Sequence, residues 1–215
     1  MEKTNTQDLS SRRPLATRNK AWAHILAAKL SLWNISPNQI SILSIVGAAV
    51  ALLGFSISQP SAQDSLLIIA IVGIQFRLLC NMMDGMVAIE YKKKSAVGDL
   101  YNEVPDRIAD AMIILGAGLY CRNYDVAMTL TGINIFLAVL TAYIRTLGAS
   151  LGQGHQYLGP MAKQHRMALL TAGAALELVF HVHAVYGTLW IMFTGLLVTN
   201  YRRVHHLAST LKAKG

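Results

Sequence analysis

The chain has 215 residues, of which 53% are hydrophobic and only 14% charged, with a formal net charge of +8. Soluble domains carry about 25% charged residues, so this composition excludes a water-exposed globular enzyme, a disordered chain and a nucleic-acid module, despite a pI of about 9.7. A mean hydropathy of +0.41 in a basic chain points to an all-α integral membrane protein with its positive residues on the cytoplasmic side.

Residues 1–13 (MEKTNTQDLSSRR) are polar and lack the apolar run and small-residue cleavage site of a signal peptide. Trp22, Ile25, Leu26, Leu30 and Trp33 recur at helical spacing opposite Lys20, His24 and Asn34. That pattern predicts an N-terminal interfacial amphipathic helix in the headgroup layer. Pro37-Asn38 then breaks the chain where it turns into the first span. Crossing a bilayer takes about 20 apolar residues, and six transmembrane helices fit: about 39–57, 65–83, 104–119, 126–144, 163–181 and 184–201. Arg77 interrupts the second, Asp106, Arg107 and Asp110 fall in the first two turns of the third, and Glu177 sits in the fifth.

The expected organisation is a cytoplasmic tail with the interfacial helix (1–36), a six-helix membrane domain (37–201) and a basic cytoplasmic tail (202–215). Six Lys and Arg precede the first span, and Lys92, Lys93, Lys94, Arg145, Lys163, Arg166, Arg202, Arg203, Lys212 and Lys214 follow at the same ends of the helices. The opposite connections hold only Arg122. This asymmetry predicts a multi-pass protein of the cytoplasmic (inner) membrane with both termini in the cytoplasm. Cys80 and Cys121 read as small buried hydrophobes. His181, His183, His205 and His206 lack partners at metal-ligand spacing and read as interfacial.

Acidic residues are scarce, 11 in all, yet six lie between 84 and 110: Asp84, Glu90, Asp99, Glu103, Asp106 and Asp110. Asn81 and Asp84 are three apart at the cytoplasmic end of the second span, and Asn102, Asp106 and Asp110 step by four along the third. Each set shares a helix face, and an antiparallel pair joined by a cytoplasmic loop brings the faces together. Ionisable groups at that depth are expensive and mark functional candidates. Hard oxygens favour Mg²⁺, Mn²⁺ or Ca²⁺, and a metal beside Lys and Arg suits a phosphate-bearing substrate. Capping and pairing with Arg107 and the lysines is the plainer alternative. Lys163 and Arg166, beside Arg145, read either as an anion site for an acceptor or lipid phosphate, or as positive-inside anchors. His155 and Tyr157 are acceptor contacts on loop position alone. Arg77 either supports the acidic cluster or, by the stronger expectation, pairs with Glu177 as a second buried charge.

Read without gaps, NMMDGMVAIEYKKKSAVGDLYNEVPD (81–106) resembles the signature of the CDP-alcohol phosphatidyltransferase family, D-x2-D-G-x2-A-R-x8-G-x3-D-x3-D. Asp84, Gly85, Ala88, Gly98 and Asp106 match at the expected spacing, whereas Asn81, Ile89 and Asn102 replace Asp, Arg and Asp. Ser36-Pro37-Asn38, Tyr143 and Arg145 in AYIR, and Gly159 followed by Lys163 and Arg166 extend the likeness over most of the chain. The resemblance implies six helices with an interfacial N-terminal helix, often dimeric, around a cavity open to the cytoplasmic leaflet. It implies two divalent ions (Mg²⁺ or Mn²⁺) on the motif positions, here Asn81, Asp84, Asn102 and Asp106. A phosphoalcohol unit would pass from a CDP-linked lipid donor to an alcohol acceptor with release of CMP. Asp106 would take the acceptor proton. Gly85, Ala88 and Gly98, with Lys92, Lys93 and Lys94 nearby, would face the donor, and Arg145, Lys163 and Arg166 the acceptor or a phosphate. The partners implied are the donor, the acceptor, membrane lipids and a second copy of the chain, with no nucleic acid.

Each Asp-to-Asn change removes one negative charge, and Ile89 removes a guanidinium fork that the lysines do not reproduce. Three readings follow: a transferase with weaker or fewer metal sites, a transferase that recruits Glu103 or Asp110, or a silent member that binds nucleotide or lipid. A small transporter would call for inverted repeats or a broken mid-membrane helix, and neither is present in the sequence.

Overall fold

The computed structural model describes residues 20–58, 64–93, 95–154 and 157–213. The N-terminal tail to residue 19, Lys94, His155 and Lys214 lie outside the described residues. Seven α-helices account for most of them: α1 (Ala21–Leu32), α2 (Pro37–Ile57), α3 (Leu67–Glu90), α4 (Gly98–Tyr120), α5 (Ala127–Ser150), α6 (Lys163–Phe180) and α7 (Ala184–Lys212).

Helix α2 starts where the sequence places a break. Ser36 Oγ accepts from the Gln39 amide at 3.2 Å, the Gln39 side chain accepts from the Ser36 amide at 2.8 Å, and Pro37 occupies the first turn. This reciprocal cap satisfies two donors that a helix start would otherwise strand.

The six helices after α1 close into a ring. Helix α2 packs on α3 and α4, α3 on α6, α6 on α7, α7 on α5, and α5 back on α4. Close approach of α2 and α3 depends on glycine: a Cβ on Gly47 would lie 2.9 Å from the Arg77 amide nitrogen. Between α5 and α7, Asn134 donates to the Leu189 carbonyl at 2.9 Å and Asn200 to that of Leu137 at 3.2 Å. The main apolar core, including Phe55, Ile74, Ile113, Leu170 and Leu189, fills the ring.

Three helices, Pro37–Ile57, Leu67–Glu90 and Ala127–Ser150, are long and apolar enough to cross a membrane. Helices α4 and α6 carry the charges of the acidic cluster and its cations, which lowers their apolar character. Helices also run further than the apolar stretches suggest. Helix α3 continues to Glu90, α4 begins at Gly98, and α7 runs unbroken through Arg202 and Arg203 to Lys212.

Helix α1 packs its alanines, with Leu26 and Leu30 beside them, against the protein. Ala23 and Ala27 are fully buried on the Met82, Met83 and Met86 side of α3, while Trp22, Ile25 and Trp33 face outward. His24 Nδ1 lies 3.0 Å from Glu90, and Lys93 donates to the Ser31 carbonyl at 2.8 Å. These contacts clamp α1 to the end of α3.

Candidate active site

All the chemistry sits at one end of the ring, where α3 ends and α4 and α6 begin. Three helices are laced there by buried charges. On α4, Asp110 accepts from Arg77 of α3 at 2.6 Å and from Arg166 of α6 at 2.5 Å. One turn nearer the surface, Asp106 accepts from Arg77 at 3.3 Å, from the Asn81 amide and from the Lys163 ammonium. Lys163 donates to the Asn81 carbonyl oxygen as well. Buried charges persist only when paired and hydrogen-bonded, and this network satisfies both aspartates. It leaves donors in surplus: Arg77 Nε and Nη1 and Arg166 Nε are buried without a partner among the described residues.

The pairing corrects one expectation. Arg77 does not meet Glu177; it holds Asp106 and Asp110. Glu177 instead accepts the amides of His183 and Val185 at 3.1 and 3.2 Å. A carboxylate suits that place because the first amides of α7 have no helical partner and the helix dipole is positive there.

Two cavities flank the cluster, and Asp84 and Asn102 line both. The first, about 220 Å³, is bounded by Pro37, Asn38 and Ser41 of α2, Gly85 and Ala88 of α3, Lys93, Ser95, and Gly98 and Asp99 of α4. It gathers Gly85, Ala88, Gly98 and Lys93; Lys92 lines neither cavity. Around Gly98 the protein is open, since an added Cβ would meet only Ser95 Oγ, at 3.6 Å. Asp84 accepts from Ser41 Oγ at 2.7 Å and from the Gly85 amide at 2.5 Å, and it makes no ion pair with the described residues.

The second cavity, about 190 Å³, is strongly basic. Arg107, Arg145, Lys163, Arg166 and Arg203 line it against Asp84, Glu103 and Asp106. Arg145 pairs with Glu103. Arg107 is the loosest of these cations: its ion pairs to Asp106 and Glu103 are 3.8 and 3.9 Å long, and its Nε has no partner among the described residues. The segment over this cavity is anchored to α7. Arg203 Nε donates to the Leu158 carbonyl at 2.9 Å, and the Met161 amide donates to Thr199 Oγ1 at 3.0 Å. Gly159 adopts φ +103° there, and a Cβ on it would lie 2.7 Å from Thr199, so only glycine fits.

Arg145, Lys163 and Arg166 line the basic cavity, and Arg107, expected as a pairing partner of the acidic cluster, pairs with Asp106 and Glu103; Arg203 in this cavity and Ser41 in the other have no site role by sequence. By sequence Arg203 belongs to a basic tail. Its spacing of four from Thr199 is the one local signal that both face the same neighbour.

A sequence profile of the CDP-alcohol phosphatidyltransferases matches residues 34–201. The chain belongs to the CDP-alcohol phosphatidyltransferase family. Within curated proteins it is 24% identical over 133 residues to the inner membrane protein YnbA of Escherichia coli (strain K12), covering 62% of this chain and 63% of that relative's length. Among solved structures, phosphatidylinositol phosphate synthase (PgsA1) of Mycobacterium tuberculosis with CDP-DAG bound superposes with a TM-score of 0.70 at 19% identity, over 86% of this chain and 92% of the other. The same synthase in complex with manganese and citrate gives a TM-score of 0.70 at 19% identity, over 86% and 88%. The fold of this family member is therefore that of the synthase.

The donor set fits a metal only in part. Among the described residues no group of three or more His, Cys, Asp or Glu is placed to hold one, because amides stand at 81 and 102. Asp110 is enclosed by two arginines and Glu103 is held by Arg145. Asp84 is buried and makes no ion pair with the described residues, and Asn81 and Asn102, which line the basic cavity with it, carry amide oxygens, hard donors of the kind that suit a divalent ion.

Proposed function

We propose that the protein transfers a phosphatidyl or related phosphoalcohol unit from a CDP-linked lipid to an acceptor hydroxyl, releasing CMP, in phospholipid synthesis. The observation that carries this reading is the placement of Asp84 and Asn102 in the shared wall of two cavities of unlike charge. The donor would lie along the α2–α3–α4 cavity, where Gly85, Ala88 and Gly98 leave room for it. The acceptor would enter the basic cavity, whose surplus of cations favours an alcohol that itself bears a phosphate.

Asp84, helped by Asn81 and Asn102, would hold a divalent ion, Mg²⁺ or Mn²⁺. When bound, such an ion neutralises pyrophosphate charge and the leaving phosphate. Asp106 would take the acceptor's hydroxyl proton as its oxygen attacks the lipid phosphorus and the bond to CMP breaks. A carboxylate offers about four lone-pair sites, so the contacts from Arg77, Asn81 and Lys163 leave one for the acceptor hydroxyl.

Helices α2 to α7 would all cross the cytoplasmic membrane, with both termini and the site on the cytoplasmic side. The clustering of Lys and Arg at the site end supports this. The outward Trp22 of α1 and Trp33 just after it suit the headgroup layer, and a homodimer is in keeping with the family resemblance. Purified protein in nanodiscs, given CDP-diacylglycerol, Mn²⁺ and a panel of free and phosphorylated alcohols, should release CMP with at least one phosphorylated acceptor. Asn81 and Asn102 favour a second reading, a silent member, which predicts saturable CDP binding and no CMP release with any pair.

A further inference from the structure

Lys163 stands out as a built-in cation. Its ammonium joins the first and fourth motif positions, donating to Asn81 and Asp106. The first and third of these positions have each lost a carboxylate. Asp106 and Asp110 already face Arg77, Lys163 and Arg166, so cations outnumber carboxylates around them. Three arginine nitrogens there lack acceptors among the described residues. Such surroundings repel a further cation and welcome an anion. Asp84 differs in its direct contacts: it is buried, hydrogen-bonded by Ser41 and Gly85, and makes no ion pair with the described residues.

We propose that this chain binds a single divalent ion, at Asp84, and that the Lys163 ammonium takes the place of the second ion its relatives' four carboxylates imply. The inference rests on the proposed transferase function. An ammonium on a flexible four-carbon stem is a mobile point charge with three donors. It can hold Asn81 and Asp106 in the resting site and turn to a phosphate oxygen of the substrate. The two amides then follow from the lysine: with one divalent charge fewer to balance, the site needs fewer carboxylates.

The test counts ions. Mn²⁺ titrated into the full chain in nanodiscs with CDP present, read by electron paramagnetic resonance and by elemental analysis, should saturate at one ion per chain with an uncoupled spectrum. The variant carrying Asn81→Asp, Asn102→Asp and Lys163→Met should bind two ions with spin–spin coupling between them. Two ions, or none, in the unmodified protein would overturn the inference, as would one ion in a triple variant that still binds CDP. The count in the unmodified protein decides the matter even where the triple variant does not fold. Absence of CMP release with every donor and acceptor would sink the transferase reading instead and leave the ion count standing.

Discussion

The two cavities meet at Asp84 and Asn102 but are built differently. The α2–α3–α4 cavity comes largely from one continuous stretch, 84–102, closed by the start of α2, and sets Lys93 against Asp84 and Asp99. The basic cavity draws on five helices and sets five cations against three acids. One side is a motif folded back on itself; the other exists only once distant helices pack. Under the proposed transferase function the CDP-linked donor belongs to the first cavity and the acceptor to the second, whose walls can change one helix at a time.

The sharpest way to break this division is to strike the boundary. Asp106→Asn keeps the shape and most hydrogen bonds but removes the proton acceptor. CMP release should fall by about 10²- to 10⁴-fold, the usual worth of a general base, with little change in CDP binding measured by calorimetry. Near-normal turnover would remove Asp106 from the chemistry and leave the boundary merely structural.

Next in size is the frame of the basic cavity. Asp110 holds Arg77 and Arg166 at 2.6 and 2.5 Å, and removing one partner of a buried pair costs about 3–5 kcal/mol. Asp110→Ala should therefore lose thermal stability sharply in detergent. Asp99→Ala, on the exposed rim of the other cavity, should leave the melting temperature nearly unchanged. Equal losses would mean that the two cavities share one frame.

The same contrast decides what the sequence could reveal. The motif 81–106, the capped start of α2 and the clustering of cations at one end were legible because each depends on local spacing or on counts. Pairing of Arg77 was not: the chain offers Glu177, Asp106 and Asp110 at plausible depths, and only the contact of α3 with α4 selects among them. Arg203 and Gly159 escaped for a related reason. Their roles arise from the loop before α6 lying against α7, a contact between residues some 40 apart, for example Leu158 and Arg203. Helix ends were misjudged where polar motif residues continue a helix past its apolar stretch, as at Asp84–Glu90.

Smaller is the effect of the loosest cation. With ion pairs of 3.8 and 3.9 Å and an Nε unpartnered among the described residues, Arg107 is the guanidinium most available to an incoming phosphate. Arg107→Ala should raise KM for a phosphorylated acceptor by roughly 10- to 100-fold, the worth of a charge-assisted hydrogen bond of about 1.5–3 kcal/mol. KM for the CDP-linked donor should hold. A rise in donor KM alone would exchange the roles of the two cavities.

The mildest test comes from the other side. Gly98 opens α4, and its place is not forced by packing, for an added Cβ would meet only Ser95 Oγ at 3.6 Å. Elsewhere in the chain glycine is needed by the protein itself, as at Gly47 against α3. Gly98→Ala should therefore leave stability unchanged or raise it by about 0.4–1 kcal/mol, since alanine restricts the unfolded chain. If the open space belongs to the donor, the same methyl group intrudes on it, so donor KM should rise several-fold while acceptor KM stays put. Unchanged kinetics in a stabilised protein would show that nothing approaches Gly98 closely, and would move the donor out of the α2–α3–α4 cavity.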